Sequence, residues 1–236
     1  MNPAYARPRL TPGLGSAPFI VHGVASRIFA IRHADVENPR RVLYGHLPGF
    51  GLSASGRARA AAVGDRLKST GITRIVHSPL QRALETGEIV AARLETRPVL
   101  EPDGELREAE FSRYLQGVPY WQVPVRRPLW FVHKARRGIL PGDESIQDMG
   151  QRVLDVIRRM AAERPGEAQA CISHADPLQA AWVLLDGRPH NEREMYRKSV
   201  DKAGCLEIEL DGATITGFQY IPPPPLPKQE PAPASS

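Results

Sequence analysis

The chain has 236 residues, 42% hydrophobic and 24% charged, with a net charge of +5 at pH 7 and a pI near 9.5. Those proportions suit a soluble globular protein. No apolar run is long enough to span a bilayer, and the basic residues come without a recognition motif, so neither a membrane nor a nucleic-acid partner is expected.

Residues 1–24 hold scattered Pro and Gly with no period, which reads as a loose N-terminal arm tethered by Phe19, Ile20 and Val21. No signal-peptide pattern is present there. Ile28 to Ile31 form an apolar run, so Arg27 to Ile31 reads as a strand buried on both faces, followed at once by Arg32 and His33. Asp35 to Gly51 is loop. Ser53 reads as the N-cap of a helix whose apolar face is Ala58, Ala61, Ala62, Gly64 and Leu67.

Ile72 to His77 reads as a second strand. Ser78 and Pro79 then give a cap with Pro at the first helical position, and Leu80, Leu84 and Ala91 follow at helical spacing. Arg97 to Leu100 reads as a third strand and Asp103-Gly104 as a turn. Residues 112–141 are irregular, rich in aromatic, basic and Pro residues, and read as a lid over a ligand. Ser145 precedes a helix with Ile146, Met149, Val153, Val156, Ile157 and Met160 on one face.

Ala168 to Ser173 reads as another buried strand, and it ends on His174. A helix follows from Asp176-Pro177 to Leu185. Cys205 to Leu210 and Thr214 to Phe218 flank Asp211-Gly212 as a hairpin. From Ile221 onward the Pro-rich stretch cannot build a core and reads as a disordered tail, which bounds a catalytic domain at about 25–220. The two cysteines, Cys171 and Cys205, belong to no CxxC pair. Free buried thiols imply a reducing compartment, hence the cytoplasm.

Alternating strands and helices predict an α/β fold with a largely parallel sheet. Two of its strands end in His and a third ends at Ser78, with Arg82 one turn into the next helix. In open α/β sheets ligands bind beyond the carboxyl ends of the strands. The pattern therefore gathers His33, His174, Arg32 and Arg82 at one cleft.

At these residues the chain resembles the histidine phosphatase superfamily, whose fold is shared with cofactor-dependent phosphoglycerate mutase. The matching stretches are RHAD from Arg32, SPLQRALET from Ser78, LREAEF from Leu106 with a later Gly117, GDES from Gly142 and SHAD from Ser173. GHLPGFGLSASG from Gly45 is similar to the family's first loop and helix start. The resemblance spans about Arg27 to Leu210 and implies a three-layer α/β/α sandwich. It makes His33 the phosphoryl-accepting nucleophile, Arg32 and Arg82 phosphate clamps, Glu108 the proton donor and His174 a second phosphate-contacting histidine. It also assigns Asn38 and Ala175 to phosphate binding. Three departures stand out. Ala34 replaces the usual Gly after the nucleophile, Asn38 comes one residue early, and HAD replaces HG at the last motif.

A phosphoryl group in flight spreads charge over three oxygens, which planar arginine forks match. The expected activity is a metal-independent phosphomonoesterase without a cofactor, acting on a small phosphate ester. The sequence holds no acidic cluster of the two-metal kind. Phosphoglycerate mutase-type transfer and a non-catalytic phospho-ligand binder are the alternatives. Glu110 is the second choice for the acid. His46 and His77 read as pocket walls, and His22, His133 and His190 have no supporting context.

Overall fold

Ile28, Phe29, Ala30 and Ile31 are all buried, so the first strand has no solvent face. In the computed structural model, which describes residues 25–225, it is β1 (Ser26–Arg32), at the centre of a six-stranded sheet. The other strands are β2 (Ile72–His77), β3 (Val99–Pro102), β4 (Ala168–Ser173), β5 (Cys205–Asp211) and β6 (Thr214–Ile221). Their order is β3-β2-β4-β1-β5-β6. The first four are parallel, and the β5–β6 hairpin closes one side, with β5 antiparallel to β1 and β6 antiparallel to β5. The expected N-terminal arm and the tail beyond Pro225 lie outside the described residues.

The helices are α1 (Ala54–Leu67), α2 (Gln81–Ala91), α3 (Ser112–Leu115), α4 (Val123–Arg126), α5 (Leu129–Ala135), α6 (Ile146–Glu163), α7 (Ala175–Leu185) and α8 (Glu192–Met195). Helices α1 and α2 pack on one face of the sheet through Ala60, Val63, Leu67, Ala83 and Val90. Helices α6 and α7 pack on the other through Val153, Ile157, Met160, Leu178 and Trp182. This is the three-layer α/β/α sandwich. Each large aliphatic side chain buried this way contributes about 1.5–3 kcal/mol. All six expected apolar positions of α6 are buried. Cys171 and Cys205 are free and buried, one in each of the two cores that the sheet separates.

Several local expectations are corrected. The buried face of α1 is Gly56, Ala60, Val63, Gly64 and Leu67, so Ala58 turns outward and Ala61 and Ala62 are only half-buried at its margins. A run of alanines on both sides of a helix leaves its apolar face undefined. Gly56 decides it: a Cβ there would lie 2.0 Å from the Asp35 carbonyl oxygen, so only glycine lets α1 dock under the loop after His33. Helix α2 begins at Gln81 with Leu80 as its cap residue, although the Ser78 hydroxyl still accepts the Leu80 N–H just ahead of it. Finally, Ile221 still belongs to β6, Pro222 accepts a hydrogen bond from Arg66 and Pro224 is buried, so the packed chain runs past the expected boundary at 221.

Candidate active site

Strands β1, β4 and β2 are neighbours, and the ladder continues one residue past each strand end. The His33 N–H donates to the Ser173 carbonyl at 2.9 Å, and the Ser78 N–H donates to the Ile172 carbonyl at 2.9 Å. This sets Arg32-His33, Ser173-His174 and Ser78 side by side on the carboxyl edge. The His33 and His174 rings lie 5.1 Å apart, both buried.

His33 is held in one tautomer. Its Nδ1 donates to the Ala34 carbonyl at 2.8 Å, which leaves Nε2 unprotonated, and Arg82 Nε donates to that atom at 3.3 Å. Burial, then Arg82 and Arg32, hold the imidazole pKa well below its usual range, so the ring is neutral near pH 7. Ala34 takes the place of glycine without strain: it is not among the residues with positive φ, and its methyl is buried in the core beneath α1.

Arg82, fully buried, is aimed by two further contacts. Its Nη2 donates to the Gly45 carbonyl at 2.9 Å, and its guanidinium stacks 4.7 Å from the Tyr44 ring centroid. Gly45 has φ +44°, and a Cβ there would lie 2.7 Å from the Ser112 carbonyl oxygen, so the position requires glycine. Arg32 Nη1 donates to the Val200 carbonyl at 2.8 Å, while its buried Nε has no partner.

His174 Nε2 lies 2.7 Å from Ser78 Oγ, and that hydroxyl also accepts the Leu80 N–H at 3.3 Å. His174 Nδ1 is buried without a partner, 4.0 Å from Glu108 Oε2. Burial and the Arg82 charge push its pKa well down, so the imidazole is neutral and not the cation that would add a third positive charge. Glu108 sits on the connector after β3, and its Oε1 accepts its neighbour's Ala109 N–H at 3.0 Å. Burial raises its pKa, Asp176 adds to the rise, and Arg82 and Arg32 oppose it.

The structure thus brings together Arg32, His33, Arg82, Glu108 and His174, with Ala175 opening α7 directly after His174. Asn38 lines a neighbouring cavity with Arg32 and Tyr44, but its amide is engaged in its own loop. Its Nδ2 donates to the Val42 carbonyl and its Oδ1 accepts the Val42 N–H, so both ends of the amide fasten their own loop. A short polar side chain in a Pro-rich loop serves turn closure equally well, and sequence pattern does not separate the two uses. Glu110 is paired with Arg107 and Arg113, which lower its pKa against its partial burial. His77 Nδ1 bonds the Ser78 carbonyl, and His46 Nε2 the Ala109 carbonyl.

A cavity of about 320 Å³ opens from Arg32 and Glu108. Segment 112–141 supplies much of its wall, including Tyr120, Trp130, His133 and Arg137. His133 had no signal in sequence. It stacks on Phe111 with centroids 3.9 Å apart, and its Nδ1 lies 2.9 Å from Asp143 Oδ2. Asp176 was also missed. It accepts from Arg137 Nη2 at 3.0 Å, and that pairing lowers its pKa in spite of burial. The only hint was its place two residues after a strand-terminal His.

These features define a class: three-layer α/β/α proteins with a paired-histidine, paired-arginine cleft at the carboxyl edge of the sheet. The chain belongs to the histidine phosphatase superfamily (branch 1), whose family model matches residues 28–218. "Uncharacterized protein Rv0525" of Mycobacterium tuberculosis is 32% identical over 207 residues, covering 85% of this chain and 98% of that protein. "Phosphoglycerate mutase-like protein 4" of Arabidopsis thaliana is 28% identical, covering 66% of this chain and 70% of that protein. Among solved structures, Bacillus stearothermophilus YhfR matches with a TM-score of 0.71 at 23% identity, covering 80% of this chain and 94% of its own. Mycobacterial glucosyl-3-phosphoglycerate phosphatase matches with a TM-score of 0.67 at 22% identity, covering 83% and 97%. Among the described residues no helix is long and apolar enough to cross a membrane.

Proposed function

We propose that the protein is a phosphomonoesterase that works through a phosphohistidine on His33 and needs no metal ion. The observation that carries this reading is the state of His33: a neutral ring, its proton fixed on Nδ1 by the Ala34 carbonyl and its Nε2 lone pair beside Arg82. In the first step Nε2 attacks phosphorus, the ester P–O bond breaks, and the leaving oxygen takes the Glu108 proton. In the second, Glu108 accepts a proton from water, the water oxygen attacks phosphorus, and the P–N bond breaks to release inorganic phosphate. Arg82 and Arg32 offset the charge of the equatorial oxygens from two elements. Ser78 accepts the Leu80 N–H and donates its own hydroxyl proton to His174 Nε2. The His174 ring proton then sits on the unpartnered Nδ1, a donor for a phosphate oxygen.

Phosphatases among the structural neighbours support the reading, and so does the raised proton affinity of Glu108. The test is trapping of an alkali-stable, acid-labile phosphoenzyme during turnover, with inorganic phosphate measured in parallel. The native chain is expected to give both, and a folded His33→Ala variant neither. A His33→Ala variant with near-native turnover refutes the assignment. A phosphoenzyme that returns its phosphoryl to alcohol without phosphate release indicates mutase-type transfer instead.

A further inference from the structure

The cavity has a charge pattern that bears on which ester it accepts. If Glu108 protonates the leaving oxygen, the alcohol extends from Glu108 into the space that Glu108 lines. This placement rests on the monoesterase reading above. The far wall of that space carries two cations, Lys134 and Arg137, and neither is free. Lys134 Nζ lies 2.9 Å from Glu192 Oε2. Arg137, whose side chain is 3% exposed, bonds Glu192 Oε1 through Nε, and its Nη2 donates to Asp176 Oδ2 at 3.0 Å and to Tyr196 Oη at 2.7 Å. Two cations therefore face two carboxylates. His133 adds no charge, because burial and Arg137 lower its pKa. The remaining wall is largely aromatic and aliphatic, with Leu43, Phe111, Leu115, Tyr120 and Trp130.

A second anion on the alcohol finds no unpaired cation on that wall and meets the Asp176 carboxylate on it. Turning Arg137 toward it leaves Asp176 without its paired cation in a poorly hydrated place, and turning Lys134 toward it leaves Glu192 with Arg137 alone. An apolar alcohol meets ring faces and methyl groups and disturbs no charge. We infer that the cavity selects monoesters of an uncharged, largely apolar alcohol over esters whose alcohol carries a second anion, with Glu192 a specificity-determining residue that acts by occupying Lys134 and Arg137. Selection of this kind works by leaving the wrong ligand's charge unpaired. Glu192 does not line the cavity and contacts no reacting atom in this scheme.

The experiment compares 1-naphthyl phosphate with 3-phosphoglycerate, which carries a carboxylate beside its phosphate. Binding of each to the His33→Ala protein is measured by calorimetry, and kcat/KM of each is measured on the native chain. Naphthyl phosphate is expected to bind at least about tenfold tighter, the scale of a single pocket discrimination. Glu192→Gln, which frees positive charge on the wall, is expected to narrow that ratio, and Lys134→Gln, which removes positive charge, to widen it. A purely structural role for these residues would move both ligands together. Equal or tighter binding of 3-phosphoglycerate overturns the inference, and so does a ratio that neither variant moves. If Glu192→Gln does not fold, the direction of change in Lys134→Gln decides. Preferential naphthyl binding without turnover of either ester supports this selectivity and overturns the monoesterase reading alone.

Discussion

Replacing Glu108 by Gln removes proton transfer while keeping the residue's size and its hydrogen bond to Ala109. The amide keeps the size of the carboxyl, and its oxygen still accepts the Ala109 N–H that Glu108 holds at 3.0 Å. What is lost is the proton, which burial and Asp176 keep on the carboxyl to higher pH than usual. A general acid so placed contributes about 10²–10⁴-fold, or about 3–5 kcal/mol of barrier. An alkyl phosphate should feel that whole loss, since its alkoxide leaves poorly without a proton. p-Nitrophenyl phosphate should feel little. The assay is rapid-quench timing of phosphoenzyme formation, because Glu108 also activates water in the second step and steady-state rates mix the two. With the alkyl ester, the native rate of this step should fall as pH rises through the Glu108 pKa, and that limb should vanish in the variant. Equal losses on both esters would show that Glu108 positions phosphate and donates no proton. Selective loss in Glu110→Gln would move the role to Glu110, against its two arginine pairings.

Chelation by EDTA should leave turnover unchanged, since two arginines offset the phosphoryl charge and no group of three or more His, Cys, Asp or Glu among the described residues is arranged to hold a metal; loss restored by a divalent ion would refute the proposed chemistry. Because His33 and His174 have folded pKa values well below the ordinary 6.5, the unfolded chain takes up protons below that pH that the native chain does not. Their share of stability is therefore complete above pH 6.5 and lost as pH falls below it. In denaturant titrations between pH 6.5 and 5, His174→Gln should flatten the loss by up to about 1.4 kcal/mol per pH unit, and an unchanged slope would show that folding does not lower the His174 pKa. The sign is opposite for Glu108, whose raised pKa costs stability above the ordinary carboxylate range, so Glu108→Gln should raise Tm at pH 7 and leave it unchanged well below pH 4. Truncation after Pro225 should leave Tm and turnover near native, whereas truncation after Ile221 should lower Tm, since it removes Pro222, which Arg66 holds, and the buried Pro224.

Strand ends were the most legible part of the chain. Short apolar runs that stop on His or Ser need little tertiary information, so β1, β2 and β4 and the cluster of Arg32, His33, Arg82 and His174 follow from local pattern. Glu108 followed from resemblance, since three glutamates on one connector look alike until burial distinguishes them. What was not legible depended on contacts between distant residues. The choice of face on α1 is made by Gly56 against Asp35, and the role of Asn38 by a carbonyl four residues on. The Ser78 hydroxyl, which serves equally as a helix cap, is claimed by a histidine 96 positions away. The charge balance at Arg137 joins residues from segment 112–141, α7 and α8, which no spacing rule connects.

The loop after β1 and segment 112–141 are stitched together by backbone. Val42 pairs with Pro119, the Leu43 N–H donates to the Val118 carbonyl, and the Gly117 N–H donates to the Leu43 carbonyl. Two residues beyond Leu43, the Gly45 carbonyl seats Arg82. The two loops consequently share one length constraint. An insertion between Val42 and Gly45 shifts the carbonyl that seats Arg82, and a deletion around Gly117–Pro119 pulls on it from the other side. Relatives that remodel this wall have room to do so between Tyr120 and Arg137, where Trp121, Val125 and Phe131 face solvent. The length of chain between Asn38 and Gly45 has no such freedom.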